Sequence, residues 1–218
     1  MSEEKLTHLK SIAAEIADLT YAGALLGWDQ QVNMPPGGAE GRGYQLATLQ
    51  TLAHARLTAP ETGQLLDDLQ TYAAQLDPDS DDARYIKVAK RLYDKQTKVP
   101  GEWIGEFAKA TTQAHQLWAQ ARAEDNFSLF QPSLEHIMAL RREYADFFAP
   151  YDHVYDPLLD DFEPGLKTVD VKAIFSTLRP QQVELIKAIT AQPQVDNTFL
   201  YQPFDEQKQW DFGVEVIT

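Results

Sequence analysis

Apolar residues recur at threes and fours from the start of the chain. Leu6, Leu9, Ile12, Ile16, Leu19 and Ala22 make one stripe and predict a helix running to about Leu26. Ser2 can cap it, and Glu3 and Glu4 suit the positive end of the helix dipole. The pattern breaks at Gly27-Trp28-Asp29, ahead of the turn-rich run Asn33-Met34-Pro35-Pro36-Gly37-Gly38. A second helix follows from about Ala39 to Arg56, with Leu46, Leu49, Leu52 and Ala53 inward. Thr58-Ala59-Pro60-Glu61 has the spacing of a capping box and opens a third helix that runs to about Leu76. Asp77-Pro78-Asp79-Ser80 stops it and caps a fourth, with Tyr85, Ile86, Ala89, Leu92 and Tyr93 on one side. Val99-Pro100 opens the longest predicted helix, striped by Trp103, Phe107, Ala110, Ala114, Leu117, Trp118 and Ala121.

Asp125-Asn126 ends that helix and Pro132-Ser133 begins another, carried by Leu134, Ile137, Met138, Tyr144, Ala145 and Phe148 to Pro150. Tyr151 to Gly165 is mixed and turn-rich. Thr168 caps a further helix with Val171, Ile174, Phe175, Leu178, Val183, Ile186 and Ile189, which Pro180 should kink or interrupt. Gln192 to Pro203 reads as a loop, and a last helix begins near Asp205. Strand alternation, hairpin dipeptides and solenoid-length repeats are missing from the pattern. The expected fold is all-α: about eight mostly antiparallel helices in a single helical region over residues 1–218. The final stripe, Trp210 to Ile217, is still running at Thr218, which reads as a chain cut short.

Composition narrows the function classes. The 218 residues carry 19 basic and 33 acidic side chains, a formal charge of −14. With 44% hydrophobic residues the chain can bury a core, so an acidic disordered tail is excluded. The negative charge repels phosphate backbones and argues against nucleic-acid binding. No run approaches the roughly 20 apolar residues of a membrane span. Zero cysteines removes thiolate metal sites and fits a reducing compartment. With no apolar leader in MSEEKLTHLK, the expected location is cytoplasmic.

Local motifs for chemistry are sparse. H-E-x-x-H, P-loop, G-x-G-x-x-G and G-x-S-x-G sequences do not occur. None of His8, His54, His115, His136 and His153 stands four residues from another His, so no helix offers two imidazoles to zinc. His8 and His136 read as solvated, His54 and His115 as partly buried with satisfied nitrogens. Asp152, His153, Asp156, Asp160, Asp161 and Glu163 form the densest acidic cluster. It offers oxygens to a hard cation or paired carboxylates for acid–base work. The plainer reading has Asp152 and Asp156 capping turns while Asp160 and Asp161 face water. A second knot is Trp28-Asp29-Gln30 with Met34-Pro35. Trp28 can stack on a substrate and Asp29 can orient Arg42 across the loop, or Trp28 merely plugs the helix end while Asp29 caps the next turn.

Three blocks carry a family resemblance. LLGWDQQVNMPPGGAEGRGYQLATLQTLAHARLTAP resembles the N-terminal signature of the carboxypeptidase Taq family of zinc metallocarboxypeptidases. WAQARAEDNFSLFQPSLEHIMALRREYA and YDPLLDDFEPG are similar to later family blocks, in the same order. The resemblance implies a mostly helical enzyme around a deep groove, which uses a zinc-bound water to remove single residues from peptide C-termini. It places the chemistry in later blocks: H-P-F, D-x-R-x-T, the H-E-x-x-H helix and a downstream Glu. This sequence holds none of them.

The expectation is therefore an N-terminal portion lacking the half that completes the grooved fold, forming a wall and lid of the groove and inactive alone. No catalytic, cofactor or metal residue is assigned; zinc and a peptide substrate are implied for the full-length parent only. Trp28, Asp29, Met34 and Arg42 are the candidate groove-lining residues. Stripes that faced the missing half would be exposed, so homodimerisation or marginal stability is expected. The alternative is a stand-alone, non-catalytic helical interaction module; a third reading makes the Asp152–Glu163 cluster a metal site.

Overall fold

The computed structural model of the chain describes residues 2–218, apart from the side chain of Pro36. Among them are nine α-helices and no strand, so the fold is all-α. They are α1 (Ser2–Val32), α2 (Ala39–Leu57), α3 (Pro60–Ala73), α4 (Asp81–Gln96), α5 (Gly101–Ala123), α6 (Phe127–Asp146), α7 (Asp156–Asp160), α8 (Thr168–Thr190) and α9 (Glu206–Ile217). Short 3-10 turns lie at Pro36–Gly38 and Thr198–Tyr201. The chain groups into two units, one ending at Pro164 and one beginning at Gly165.

In the first unit α1 packs on α2 and α3, α3 on α4, α2 on α5, and α5 on α6. Part of the predicted stripes enters two clusters, together with residues that no stripe named. Leu6 and Leu9 of α1, Leu66 and Leu69 of α3 and Ile86 of α4 form one. Val99, Trp103, Ala110, Leu140 and Tyr144 form the other. Trp103 stacks on Phe107 at 4.8 Å between ring centroids and donates its indole N–H to the Leu140 carbonyl at 3.1 Å. Ser80 caps α4, its hydroxyl accepting from the Ala83 N–H at 3.4 Å.

Several boundaries differ from the sequence pattern. α1 continues through Gly27-Trp28-Asp29 to Val32 and, at 31 residues, is the longest helix in place of α5. Glycine in a helix interior costs about 1 kcal/mol. Here Arg42 of α2 binds the Leu26 carbonyl and the Asp29 carboxylate, tying down the last turns. The capping box does not form: the Thr58 hydroxyl donates to the His54 carbonyl at 2.9 Å, and Ala59 is the residue ahead of α3. Pro60 starts α3, where a missing N–H is harmless. Glu61 instead meets His8 and Arg56, both at 2.9 Å.

α6 starts at Phe127 and α8 runs unbroken through Pro180. A proline near the start of a helix deprives one early carbonyl of its partner, which the remaining turns of α6 outweigh. Leu52, Leu92, Trp118 and Met138 lie on predicted stripes yet are exposed.

Gly63 of α3 is required by a close approach. A Cβ there would stand 2.2 Å from Tyr93 Oη and 2.6 Å from its Cζ, and Tyr93 packs on the first cluster. Alanine would gain about 1 kcal/mol of helix preference, but moving a packed ring costs about 1–3 kcal/mol. Gly63→Ala is expected to lower the urea midpoint; an unchanged or higher midpoint contradicts the packing account.

The second unit holds α8 and α9. Asp205 caps α9, accepting from the Lys208 N–H at 2.9 Å. Ile174, Phe175, Leu185, Ile186 and Ile189 on α8, and Trp210, Phe212 and Ile217 on α9, are exposed.

Candidate functional site

The corner between α1 and α2 gathers the residues singled out from the sequence. Arg42 donates through Nη2 to Asp29 Oδ2 at 2.5 Å, through Nη1 to the Leu26 carbonyl, and through Nε to Gln45 Oε1 at 3.2 Å. Its side chain is only 11% exposed, against 35% for Asp29. The Asp29–Arg42 pair thus forms across the loop, as the sequence suggested. The Asp29 backbone carbonyl accepts from the N–H groups of Asn33 and Met34, both at 2.9 Å, which closes the helix end. The Trp28 side chain is exposed rather than plugging that end. Met34 is half-buried and folds over Gly38, where a Cβ would stand 2.9 Å from Met34 Cγ.

The Arg42 hydrogen bond holds the Asp29 carboxyl below the usual carboxylate range, aided by the Arg42 charge and the Asn33 side chain, while partial desolvation opposes them. A depressed folded-state pKa stabilises the fold above the unfolded value, and that contribution is lost as pH falls through the folded one. In carboxyl-resolved NMR, Asp29 is expected to titrate below its ordinary midpoint, and Arg42→Gln to raise it. An Asp29 midpoint indifferent to Arg42→Gln would contradict the pairing.

Two apolar clefts run along α1 and share Ile16, Thr20 and Leu57. One, of about 340 Å³, lies over α3 and α4 and is lined by Leu9, Ile12, Leu66 and Tyr85. The other, of about 560 Å³, lies along α2, where Gly23, Gly27, Leu46 and Leu49 line it. It reaches Gly27, next to Trp28, so it runs up to the α1–α2 corner. These walls suit apolar groups; they offer no paired acid and base.

The acidic segment after α6 is organised by residues that the sequence reading passed over. Lys95 Nζ stands 2.7 Å from Asp160 Oδ2 and 2.6 Å from Asp161 Oδ1. Arg91 Nη2 meets Asp160 Oδ2 at 2.7 Å, and the Tyr144 hydroxyl donates to Asp161 Oδ1 at 2.8 Å. Asp160 and Asp161 therefore do not face water alone; cations of α4 hold them. Burial, then the bond to Asp161, pushes the Tyr144 phenol well above its ordinary pKa. Asp156 is buried and accepts from the His153 N–H at 3.3 Å, within the turn that leads into α7. The available signal was the four-residue spacing of Arg91 and Lys95, which puts two cations on one face of α4.

The histidines are engaged elsewhere. His8 and His136 are exposed and pair with Glu61 and Glu106, at 2.9 and 3.1 Å. His54 Nε2 donates to the Gln96 carbonyl at 3.0 Å, and His115 packs against Trp118. Among the described residues no three His, Cys, Asp or Glu side chains are grouped so as to hold a metal ion. A catalytic zinc needs three such ligands and an open position. The donor set present does not fit one. No helix among the described residues is long and apolar enough to cross a membrane.

Comparison with known proteins places this architecture. Residues 8–218 match the profile of the Carboxypeptidase Taq (M32) metallopeptidases. The thermostable carboxypeptidase 1 of Thermus thermophilus is 30% identical over 226 aligned residues, covering 99% of this chain and 44% of that protein. The crystal structure of BsuCP superposes with a TM-score of 0.85 at 27% identity, covering 99% of this chain and 42% of that one. The M32 carboxypeptidase from Deinococcus radiodurans R1 gives 0.77 at 31% identity, covering 98% of this chain and 42% of that one. The chain thus spans under half the length of these relatives. With the profile extending over nearly all of its residues, and the helices agreeing as the sequence does, the chain belongs to the Carboxypeptidase Taq (M32) metallopeptidase family.

Proposed function

We propose that this chain forms the N-terminal helical wall and lid of the substrate groove of a zinc-dependent metallocarboxypeptidase that removes C-terminal residues from peptides. Alone it does not hydrolyse them. One observation carries this reading: a chain matched to the metallopeptidase family over residues 8–218 lacks a zinc-holding donor group among its described residues. Trp28, Asp29, Met34 and Arg42 then line the groove. Arg42 and Asp29 hold the corner rigid, Trp28 offers an exposed ring for stacking, and the adjoining cleft takes apolar side chains. The reaction itself belongs to zinc ligands outside these residues.

The test is release of the C-terminal amino acid from a synthetic peptide by the purified chain supplied with zinc. The expected result is no release above the buffer blank. Release abolished by a chelator would overturn the proposal.

The same reading makes this chain a cytoplasmic protein that forms homodimers, with a peptide as partner only in the full-length parent and neither nucleic acid nor membrane. The absence of cysteine and the negative charge support the compartment and the exclusion of nucleic acid. Exposed Tyr21, Leu25, Trp28 and Leu52 support self-association. Light scattering is expected to give a dimer mass at micromolar concentration. A monodisperse monomer over that range would contradict this.

A further inference from the structure

We propose that residues 151–164 form a detachable strap, closed on the first unit by an electrostatic clasp centred on Lys95. The strap's only helix, α7, has five residues. Isolated helices shorter than about 12 residues are marginal in water, so α7 depends on what it touches. Its apolar anchorage is small: Pro157 is buried, and Leu158 packs at the edge of the second cluster.

The Tyr151 hydroxyl donates to Asp146 of α6 at 2.6 Å at the start of the strap, and a cluster of charged contacts holds its far end. Lys95 comes from α4, more than 60 residues earlier in the chain, and its side chain is 9% exposed. It bridges Asp160 and Asp161, while the aromatic face of Phe148 lies 5.6 Å from its ammonium. Arg91 grips Asp160 twice, at its carboxylate (2.7 Å) and its backbone carbonyl (3.1 Å). Tyr144 of α6 closes the arrangement on Asp161. Two adjacent carboxylates repel each other, and Lys95 between them removes that repulsion only while the strap is closed. A short element fixed chiefly through charge-assisted bonds opens as a local unit, below the free energy of global unfolding.

The strap ends at Pro164, where the first unit ends. Opening it lengthens the connection that leads into the second unit. The clasp is thus a conformational device: neutralising its charges releases the strap and leaves the helical core in place.

Native-state hydrogen exchange on the full chain tests this. The reporters are the N–H groups of Leu159 and Glu163, bonded to the carbonyls of Tyr155 and Leu159. In Lys95→Met they are expected to exchange at least tenfold faster, while the Ile86 and Leu140 amides stay within twofold of the parent. If Lys95→Met does not fold, Asp160→Asn keeps shape and volume and is expected to show the same selective acceleration. Unchanged exchange at residues 159 and 163 overturns the proposal. So does uniform acceleration across α4 and α6, which would make the pairs part of global stability. Selective opening by Leu158→Ala but not by either charge variant would assign the hold to the apolar anchor, and would overturn it too.

Discussion

Leu69→Ala is expected to cost about 2–5 kcal/mol of unfolding free energy, in the upper half of that range. Leu69 is 0% exposed and packed within a cluster drawn from α1, α3 and α4. Removing three carbons forfeits their transfer from water and leaves a sealed void, because three helices must move together to fill it. Leu66 is equally buried but borders the 340 Å³ cleft. Its void can merge with that cleft and be lined by a shift of Tyr85, so Leu66→Ala should cost less. Urea denaturation of both variants measures the order. A larger loss at Leu66, or losses under 1 kcal/mol at both, would mean that the cluster is looser than the packing indicates.

Trp103→Ala should be the most damaging change in the second cluster, at about 3–5 kcal/mol. The indole stacks on Phe107, meets Tyr144 at 5.1 Å and Phe147 at 6.2 Å between centroids, and donates to the Leu140 carbonyl. It therefore joins α5 to α6 by area, ring geometry and one buried hydrogen bond. Trp103→Phe keeps much of the area and loses the bond, a net loss of about 1–3 kcal/mol including the smaller ring. Equal midpoints for the two variants would remove the ring contacts from the account.

The fold was legible where local signals agree with packing. Three- and four-residue spacing located α1, α2, α4, α5 and α6, and stripe residues of four of these helices, Leu6, Leu9, Ile86, Trp103, Ala110 and Tyr144, lie in the two clusters. Ser80 lies in the run read as capping α4 and Asp205 at the start read for the last helix, and in both a side-chain oxygen accepts from a backbone N–H of the first turn. Tertiary contacts overruled local signals elsewhere. The last turn of α1 survives two glycines because Arg42, ten or more residues later, binds its carbonyl and carboxylate. Glu61 abandons its capping box because His8 and Arg56 take up its carboxylate oxygens.

Within the candidate site, Asp29–Arg42 was visible from their nearness in sequence. Arg91, Lys95 and Tyr144 were not, because their carboxylate partners lie far along the chain and no spacing rule links α4 to α7. The family itself was readable from three blocks in order, since fixed order constrains far more than any one block.

As proposed above, the described residues form helical architecture in which no group of side chains is placed to hold zinc. Equilibrium dialysis against zinc, followed by elemental analysis of the protein, tests it most directly. The account predicts well below one zinc per chain, with no difference after chelator treatment. One tightly held, chelator-removable zinc per chain would contradict it.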